Sequence, residues 1–503
     1  MRPPQALPSS RYATWVPLIA LAVLAQLKFT LLVLFGPLTS GDSVGYVMYS
    51  DHILADTSWL HTLDLSPHAI IIDALRAPGY PLVLTFFRRL LPGDQNWPIA
   101  VVVFQATISL VVSWQFARFL HRMGFGPAVA LGLTLAQGTT FPLLYDQMIL
   151  TDSLNASLMT LVTLGLLTAS LDSRLTLARA TVMGAALIAC FLLREATTLI
   201  GLLLAPLALV AIWASTRHPL RIAVLMALVF VPMLLVSQLQ SAWNAARTGG
   251  SGFVTTGLQT ALMLSLVQAQ AINPDVFSGT EPLDVAGRTG LHTGEFDDVL
   301  AINTELHDHY GLNGLQIAQA VRKKYWETWG RHPWTMLATR SRELKETTAL
   351  QFVRPVDTVD DVIGFARPDQ HHSLDLKHVA LRVVQDGALQ LAPLAIFDAA
   401  TRVASVTLFF AFLTFPLIFW RKTTFAKTAT PTASPSLFEH VHARHRESPA
   451  QVALLGCWFF ATGSFFAYLA VHYEHRYMAP ALPAALVVAA WHLRQRLTIG
   501  LPK

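Results

Sequence analysis

Long apolar runs separated by short polar stretches dominate this chain, in place of the alternation that marks half-buried helices and strands. Ten runs approach the roughly twenty residues a helix needs to cross a hydrocarbon core. They lie at about 15–37, 97–119, 126–145, 152–170, 179–193, 196–214, 220–240, 399–420, 450–471 and 477–493. The pattern predicts an all-α polytopic membrane protein of about ten transmembrane helices. The first run is longer than a signal-peptide core and lacks a small-residue cleavage site, so a retained helix is expected. The pair flanking Arg194-Glu195 is the least separated, and fusing it would move every later loop to the other side.

Two polar segments are too long to be connectors. The first, 38–96, contains "LRAPGYPLVLTFFRRLL", whose terminal Arg pair and apolar body predict a helix lying on the membrane interface. The second, 241–396, carries mixed charge and amphipathic pieces such as "LQIAQAVRKKYWETWGRHPWTMLATRSRELKE", which predict a small, mostly helical external domain. The expected organisation is a membrane module over 1–240 with seven spans, the external domain over 241–396, and a three-span module over 397–503. Within that last module, residues 421–449 include the basic, Ser/Thr/Pro-rich "KTATPTASPSLFEHVHARHRESPA", expected to be a flexible cytoplasmic linker.

Composition agrees: 53% of residues are hydrophobic, 13% are charged and mean hydropathy is +0.46, which excludes an ordinary soluble domain. The net charge of +5 does not point to nucleic acid, because the basic residues sit in short loops rather than in one patch. Their distribution fits the positive-inside rule with both termini cytoplasmic. Carboxylates show the opposite bias and gather at the external side. Cys190 and Cys457 fall inside apolar runs, so no disulfide framework is implied. Lys28 lies in mid-run, where facing lipid is costly, and is expected to face the bundle or to snorkel.

Candidate chemistry collects at the external helix ends. "GDSVGYVMYSDHIL" puts Asp42 just beyond the first run; Arg76 precedes "APGYP"; Asp146 and Asp152 bracket "YDQMILTD"; Arg194-Glu195 close the fifth run; and "HYEHRY", with Glu474 and Arg476, joins the last two. Taken singly, Asp42 and Asp152 suit helix capping. Arg194-Glu195 suits either an ion pair at a helix junction or a phosphate clamp. As a set they supply a carboxylate base and fixed cations, which transfer from a phosphate onto a hydroxyl requires. The histidines at 307, 309, 371, 372 and 378 show no spacing that establishes three or four convergent ligands, so no metal or other cofactor is expected.

These motifs resemble the membrane-embedded glycosyltransferases of the C-type fold (GT-C), and within them the bacterial group of aminoarabinose transferases, protein-mannosyltransferase-like enzymes and lipopolysaccharide-sugar transferases. Asp42 followed by Tyr46 is similar to the group's first external loop, whose Asp is the catalytic carboxylate. "RAPGYPLVLTFF", with Tyr80, resembles its basic-Pro-Gly-Tyr segment, which implies that Arg76 contacts a lipid-linked phosphate. "LYDQMILTDSLNASL" resembles the second acidic motif and implies that Asp152 lies beside Asp42. "WNAARTGGSGFVTTGLQTAL" resembles the segment after the seventh helix, with Trp243-Asn244 where the group carries Arg-Asn. "YWETWGRHPWTML" and "HRYMAPALPAALVVAAWHL" resemble a later external helix and the closing helix.

The chain departs from the wider family in having Ser43 after the first Asp, no Asp-x-Asp and no Trp-Trp-Asp, so en bloc oligosaccharide transfer to Asn is not implied. The resemblance implies a polyprenyl-phosphate-linked monosaccharide donor and a hydroxyl acceptor on a glycan, lipid or protein. It implies a bacterial inner membrane, inversion with Asp42 as base, and Arg76 on the phosphate; Arg194 or Arg476 are the further cations placed to join it there. Tyr46, Tyr80, Glu195, Glu474 and Asn244 are further site candidates. A lipid-linked-sugar flippase or transporter, or a non-catalytic assembly scaffold, are the alternatives.

Overall fold

The computed structural model describes residues 12–348 apart from short stretches, notably 62–65, 68–75 and 249–255, together with 376–406, 449–469 and 478–499. Among the described residues the chain is helical throughout, and its one β contact is an isolated parallel bridge between Leu38 and Met148. Arg476, Glu474, His371, His372, nearly all of 421–449 and the second half of 399–420 lie outside the described residues.

Helix α1 (Tyr12–Phe35) is followed by α2 (Gly41–Ala55), α3 (Gly79–Leu90) and α4 (Asn96–Arg122). The run expected as one helix over 126–145 is broken into α5 (Pro127–Thr139) and the short α6 (Phe141–Tyr145). Pro142 offers no N–H to the preceding turn, which interrupts the ladder at Thr140. Then come α7 (Thr151–Asp172), α8 (Leu177–Leu193), α9 (Thr197–Leu202), α10 (Ala205–Ser215) and α11 (Pro219–Thr248). Arg194 is extended, with φ −154° and ψ 117°, so α8 ends there and the chain turns back. The runs flanking Arg194-Glu195 are therefore separate elements.

Among the described residues, five segments are long and apolar enough to cross a membrane: Trp15–Phe35, Asn96–Arg122, Thr151–Asp172, Thr197–Ser215 and Pro219–Thr248. Leu177–Leu193, Leu454–Phe465 and Leu482–Trp491 are shorter apolar helices beside them. The molecule is an all-α membrane protein. Of the crossing segments, α7 is the most enclosed by protein, and it accordingly carries buried Ser153, Asn155, Ser157, Thr160 and Thr163 without presenting them to lipid.

Two polar contacts identify the ends of the bundle. At one end Leu38 and the 147–149 turn exchange backbone hydrogen bonds of 2.7 and 2.8 Å, which brings the exit of α1 beside the entry to α7. At the other end Arg122 donates to Asp172 at 3.1 Å, with Arg179 3.9 Å from the same carboxylate. Lys28 faces the bundle: its ammonium lies 2.5 Å from Asp146 Oδ2 and 2.9 Å from the Pro142 carbonyl, both partners being inside. Asp146 also accepts from Ser153 Oγ, so neither charge is left alone in the interior.

Helix α11 is 30 residues long, about 45 Å at 1.5 Å per residue, against a hydrocarbon core of about 30 Å. Its last turns, past the run that hydropathy ends near 240, project beyond the apolar layer. Helices α12 (Thr256–Ile272), α13 (Pro282–Thr289), α14 (Phe296–Asp308), α15 (Gly314–Arg331) and α16 (Pro333–Thr348) follow. They share a second hydrophobic core that includes Met263, Leu266, Phe277, Val321 and Met336. Later described helices include Pro449–Leu469 and Leu482–Ile499.

Candidate active site

The exit of α1, the start of α2, the turn into α3, the entry to α7 and the exit of α8 meet at one end of the bundle. Asp42 occupies the first turn of α2, where a carboxylate complements the helix dipole. Ser43 Oγ accepts from the Ser40 N–H at 2.8 Å and so closes that end of the helix. The Asp42 carboxylate receives Arg76 Nη2 at 3.0 Å. The side chain of Asp42 is 39% exposed and that of Arg76 is 13% exposed, so the acid is reachable while the cation is held from behind.

What holds Arg76 is aromatic. Its guanidinium lies 4.3 Å from the centroid of the Tyr46 ring, a cation–π contact that burial strengthens. Tyr46 meets Tyr80 edge to face at 5.2 Å, and its hydroxyl is 3.4 Å from Thr151 Oγ1. Tyr80 donates to Gln105 Oε1 at 2.8 Å, and the Gln105 amide donates to the carbonyls of Asp146 and Met148 at 3.1 and 2.9 Å. Burial raises the pKa of both phenols, so each remains a neutral hydroxyl. Gln105 was not among the residues expected at the site. A polar amide within "AVVVFQATISL" was the available signal, since such residues in a span face the interior.

Asp152, in the first turn of α7, is buried and takes an ion pair from Arg194 at the end of α8. Arg194 therefore pairs with Asp152 rather than with its neighbour Glu195. Glu195 turns toward Arg76 instead: its carboxyl accepts from the Ala77 N–H and feels the charges of Arg76 and Arg194. Burial outweighs these stabilising contacts and raises its pKa to about 7. One of its oxygens, Oε1, is buried without a hydrogen-bond partner. Close packing keeps this junction together, for a Cβ added to Gly79 would come within 2.5 Å of the Leu192 carbonyl.

Two sets of predicted residues are thus assembled: Asp42, Tyr46, Arg76 and Tyr80, and behind them Asp152, Arg194 and Glu195. Asn244 lies elsewhere on α11, buried, accepting from Arg247 Nη2 at 2.6 Å. Arg247 stacks over Trp243 at 3.6 Å, and the Trp243 indole donates to the Leu60 carbonyl at 2.7 Å, tying α11 to the connection after α2. No group of three or more His, Cys, Asp and Glu able to hold a metal ion occurs among the described residues.

No family model matches the sequence, and no curated protein matches it. Among solved structures, the fold is similar to that of an archaeal oligosaccharyltransferase. The apo structure of the Archaeoglobus fulgidus enzyme aligns over 98% of this chain with 14% identity and a TM-score of 0.45. The structure of AglB from the same organism, in complex with an inhibitory peptide and a dolichol-phosphate, aligns over 92% with 12% identity and a TM-score of 0.38. These alignments take in 53% and 56% of the neighbours, so the chain spans about half their length. At that distance, what the site does has to be read from its own side chains.

Proposed function

We propose that the protein is a membrane glycosyltransferase that moves a monosaccharide from a polyprenyl-phosphate donor to an acceptor hydroxyl at the extracytoplasmic face. The observation that carries this reading is the pairing of a reachable carboxylate, Asp42, with a buried, aromatically held arginine, Arg76. The arrangement supports a simple exchange. An arriving phosphate takes the guanidinium, which releases Asp42 to accept a proton.

The acceptor oxygen then attacks the anomeric carbon while the bond from that carbon to the phosphate oxygen breaks. The acceptor proton passes to Asp42, and the electron pair leaves with the polyprenyl phosphate, where Arg76 neutralises it. One displacement inverts the anomeric centre, and Asp42 loses its proton to water afterwards. Asp152 and Arg194 act as a charge-balanced backing to this site. Arg118, Arg122, Arg174, Arg179, Arg217 and Arg221 lie at or near the opposite helix ends, a distribution that supports a cytoplasmic assignment for that side.

The test uses full-length protein in mild detergent, with polyprenyl phosphate as ligand. At 100 times its Kd it should stabilise the wild type by about 2.7 kcal/mol, and Arg76→Ala should lose the shift. With a lipid-linked sugar, Asp42→Asn should lower turnover by about 10²-fold or more while the fold persists. Absence of any lipid-phosphate shift would sink the proposal. Lipid translocation that survives Asp42→Asn in the absence of glycosyl transfer would favour a flippase.

A further inference from the structure

The C-terminal turns of α11 are polar and buried although they project past the apolar layer. Gln240, Asn244 and Arg247 repeat at helical spacing and are all at least nine-tenths buried. Gln240 differs from the other two. It is 6% exposed, and neither its Nε2 nor its Oε1 has a hydrogen-bond partner. Leaving both ends of a buried amide unpaired is costly, and native proteins rarely do so without a use for the group.

Its height along the bundle follows from helix register. Helices α8 and α11 both run from the Arg122–Asp172 end toward the Asp42 end, and Gly184 of α8 sits against the Leu228 carbonyl of α11. The same offset carried along two parallel helices brings the end of α8 level with Ser237, and so Glu195 within about one turn of Gln240. An independent contact agrees: Gly201 of α9, six residues beyond Glu195 on the returning chain, lies against Met233, seven before Gln240. Two polar side chains with buried, unpartnered atoms thus lie at one level, and Glu195 is bonded to Ala77, next to Arg76.

We infer that Gln240 and Glu195 line a subsite for the hydroxyls of a sugar ring, next to the Asp42–Arg76 pair. The inference deepens the proposed function and rests on it for the identity of the reaction. The unpartnered atoms select the ligand class. Gln240 brings an amide nitrogen that donates and a carbonyl oxygen that accepts, and the Glu195 oxygen accepts when ionised and donates when protonated. A phosphate or carboxylate only accepts, so it would leave Gln240 Oε1 unpaired and face Glu195 as a like charge. A ring with hydroxyl or amino groups both donates and accepts, and satisfies all three atoms. The subsite therefore takes a neutral or amino sugar and discriminates against a uronic acid. Whether that ring belongs to the donor or to the acceptor is decided by kinetics.

The experiment measures Tm of wild type and Gln240→Leu, each titrated with a neutral hexose, an amino sugar, a uronic acid and polyprenyl phosphate. The expected result is a wild-type rise with the hexose or the amino sugar but not with the uronic acid. Gln240→Leu should lose that rise, keep the rise with polyprenyl phosphate, and melt without ligand no lower than wild type, because an unbonded amide has been removed. A sugar response unchanged in Gln240→Leu, no wild-type response to any monosaccharide, or a lower ligand-free Tm in the variant would overturn the inference. The last outcome would mean that the amide is bonded within the fold. If wild type answers to sugars but not to polyprenyl phosphate, the transferase reading fails and the subsite stands. In the transfer assay, a raised KM for donor or for acceptor in Gln240→Leu supports the subsite and assigns its ring.

Discussion

Asp42 and Asp152 have the same sequence setting, an acid in the first turn of a helix, and the structure gives them different environments. Asp42 is open and shares Arg76; Asp152 is closed in with Arg194. A base has to be reached by its substrate, so under the proposed mechanism Asp42→Asn should be far more damaging to turnover than to Tm, whereas Asp152→Asn should lower Tm by removing the charge partner that Arg194 has in the fold. Lys28 and Asp146 pose the same problem deeper in the bundle. Lys28→Met strands a buried carboxylate and should cost about 3–5 kcal/mol, while Lys28→Met with Asp146→Asn should recover most of that loss in a double-mutant cycle of thermal unfolding. Glu195 adds a pH signature. Its carboxyl holds a proton up to about 7 in the folded protein against 4.5 for an unperturbed glutamate. Between those values the unfolded chain has released the proton and the folded one keeps it, so this group's contribution to stability declines as pH rises from 4.5 to 7 and is level on either side. The difference in Tm between wild type and Glu195→Gln, followed across that range, should show this slope; a flat difference would contradict a buried carboxyl.

At the level of elements, breaks matter more than lengths. The break at Thr140 and the reversal at Arg194 bring the entry of α7 and the exit of α8 to the α1 exit, and the Leu38–Met148 bridge joins the first of these to it. Helix α3 then lays Arg76 across this junction because Gly79 lets its backbone reach α8. Gly79→Ala would drive a methyl into the Leu192 carbonyl. A loss of about 1–3 kcal/mol is expected, together with weakened polyprenyl-phosphate binding as Arg76 shifts. Unchanged stability and binding in Gly79→Ala would show that the junction has slack. Hydropathy anticipated the amphipathic α3 and most apolar runs. It ended the α11 run near 240 because it scores solvent preference, whereas Gln240, Trp243 and Asn244 remain helical and are followed by Gly249-Gly250, where a helix is weakest.

For the whole molecule, the contacts divide the described helix ends into two sets: Leu38, Asp42, Met148 and Asp152 together, and Arg122, Asp172 and Arg179 together. On the proposed extracytoplasmic placement of the site, a membrane-impermeant maleimide should label Ser66→Cys in intact cells and Ser173→Cys only after permeabilisation. Cys190 and Cys457 are buried and should contribute little background. Labelling of both positions from one side would contradict the bundle. The second core around Phe277 also predicts that Phe277→Ala, at about 3–5 kcal/mol, should disturb helices α12–α16 more than the membrane bundle, as hydrogen exchange would record.

Run length and charge placement are properties of the chain read in one dimension, and they sufficed for the all-α membrane class, the amphipathic helix after Arg76, and the choice of Asp42, Arg76, Asp152 and Arg194 as candidates. Pairing is not such a property. Arg76 reaches Asp42 across 34 residues, Arg194 reaches Asp152 across 42, and Lys28 reaches Asp146 across 118. Which acid meets which cation depends on helix register, on where helices break, and on glycines that let backbones touch. For the same reason only the tertiary structure decided that Gln240 is enclosed without a partner, since its neighbours in sequence say nothing of what packs around it.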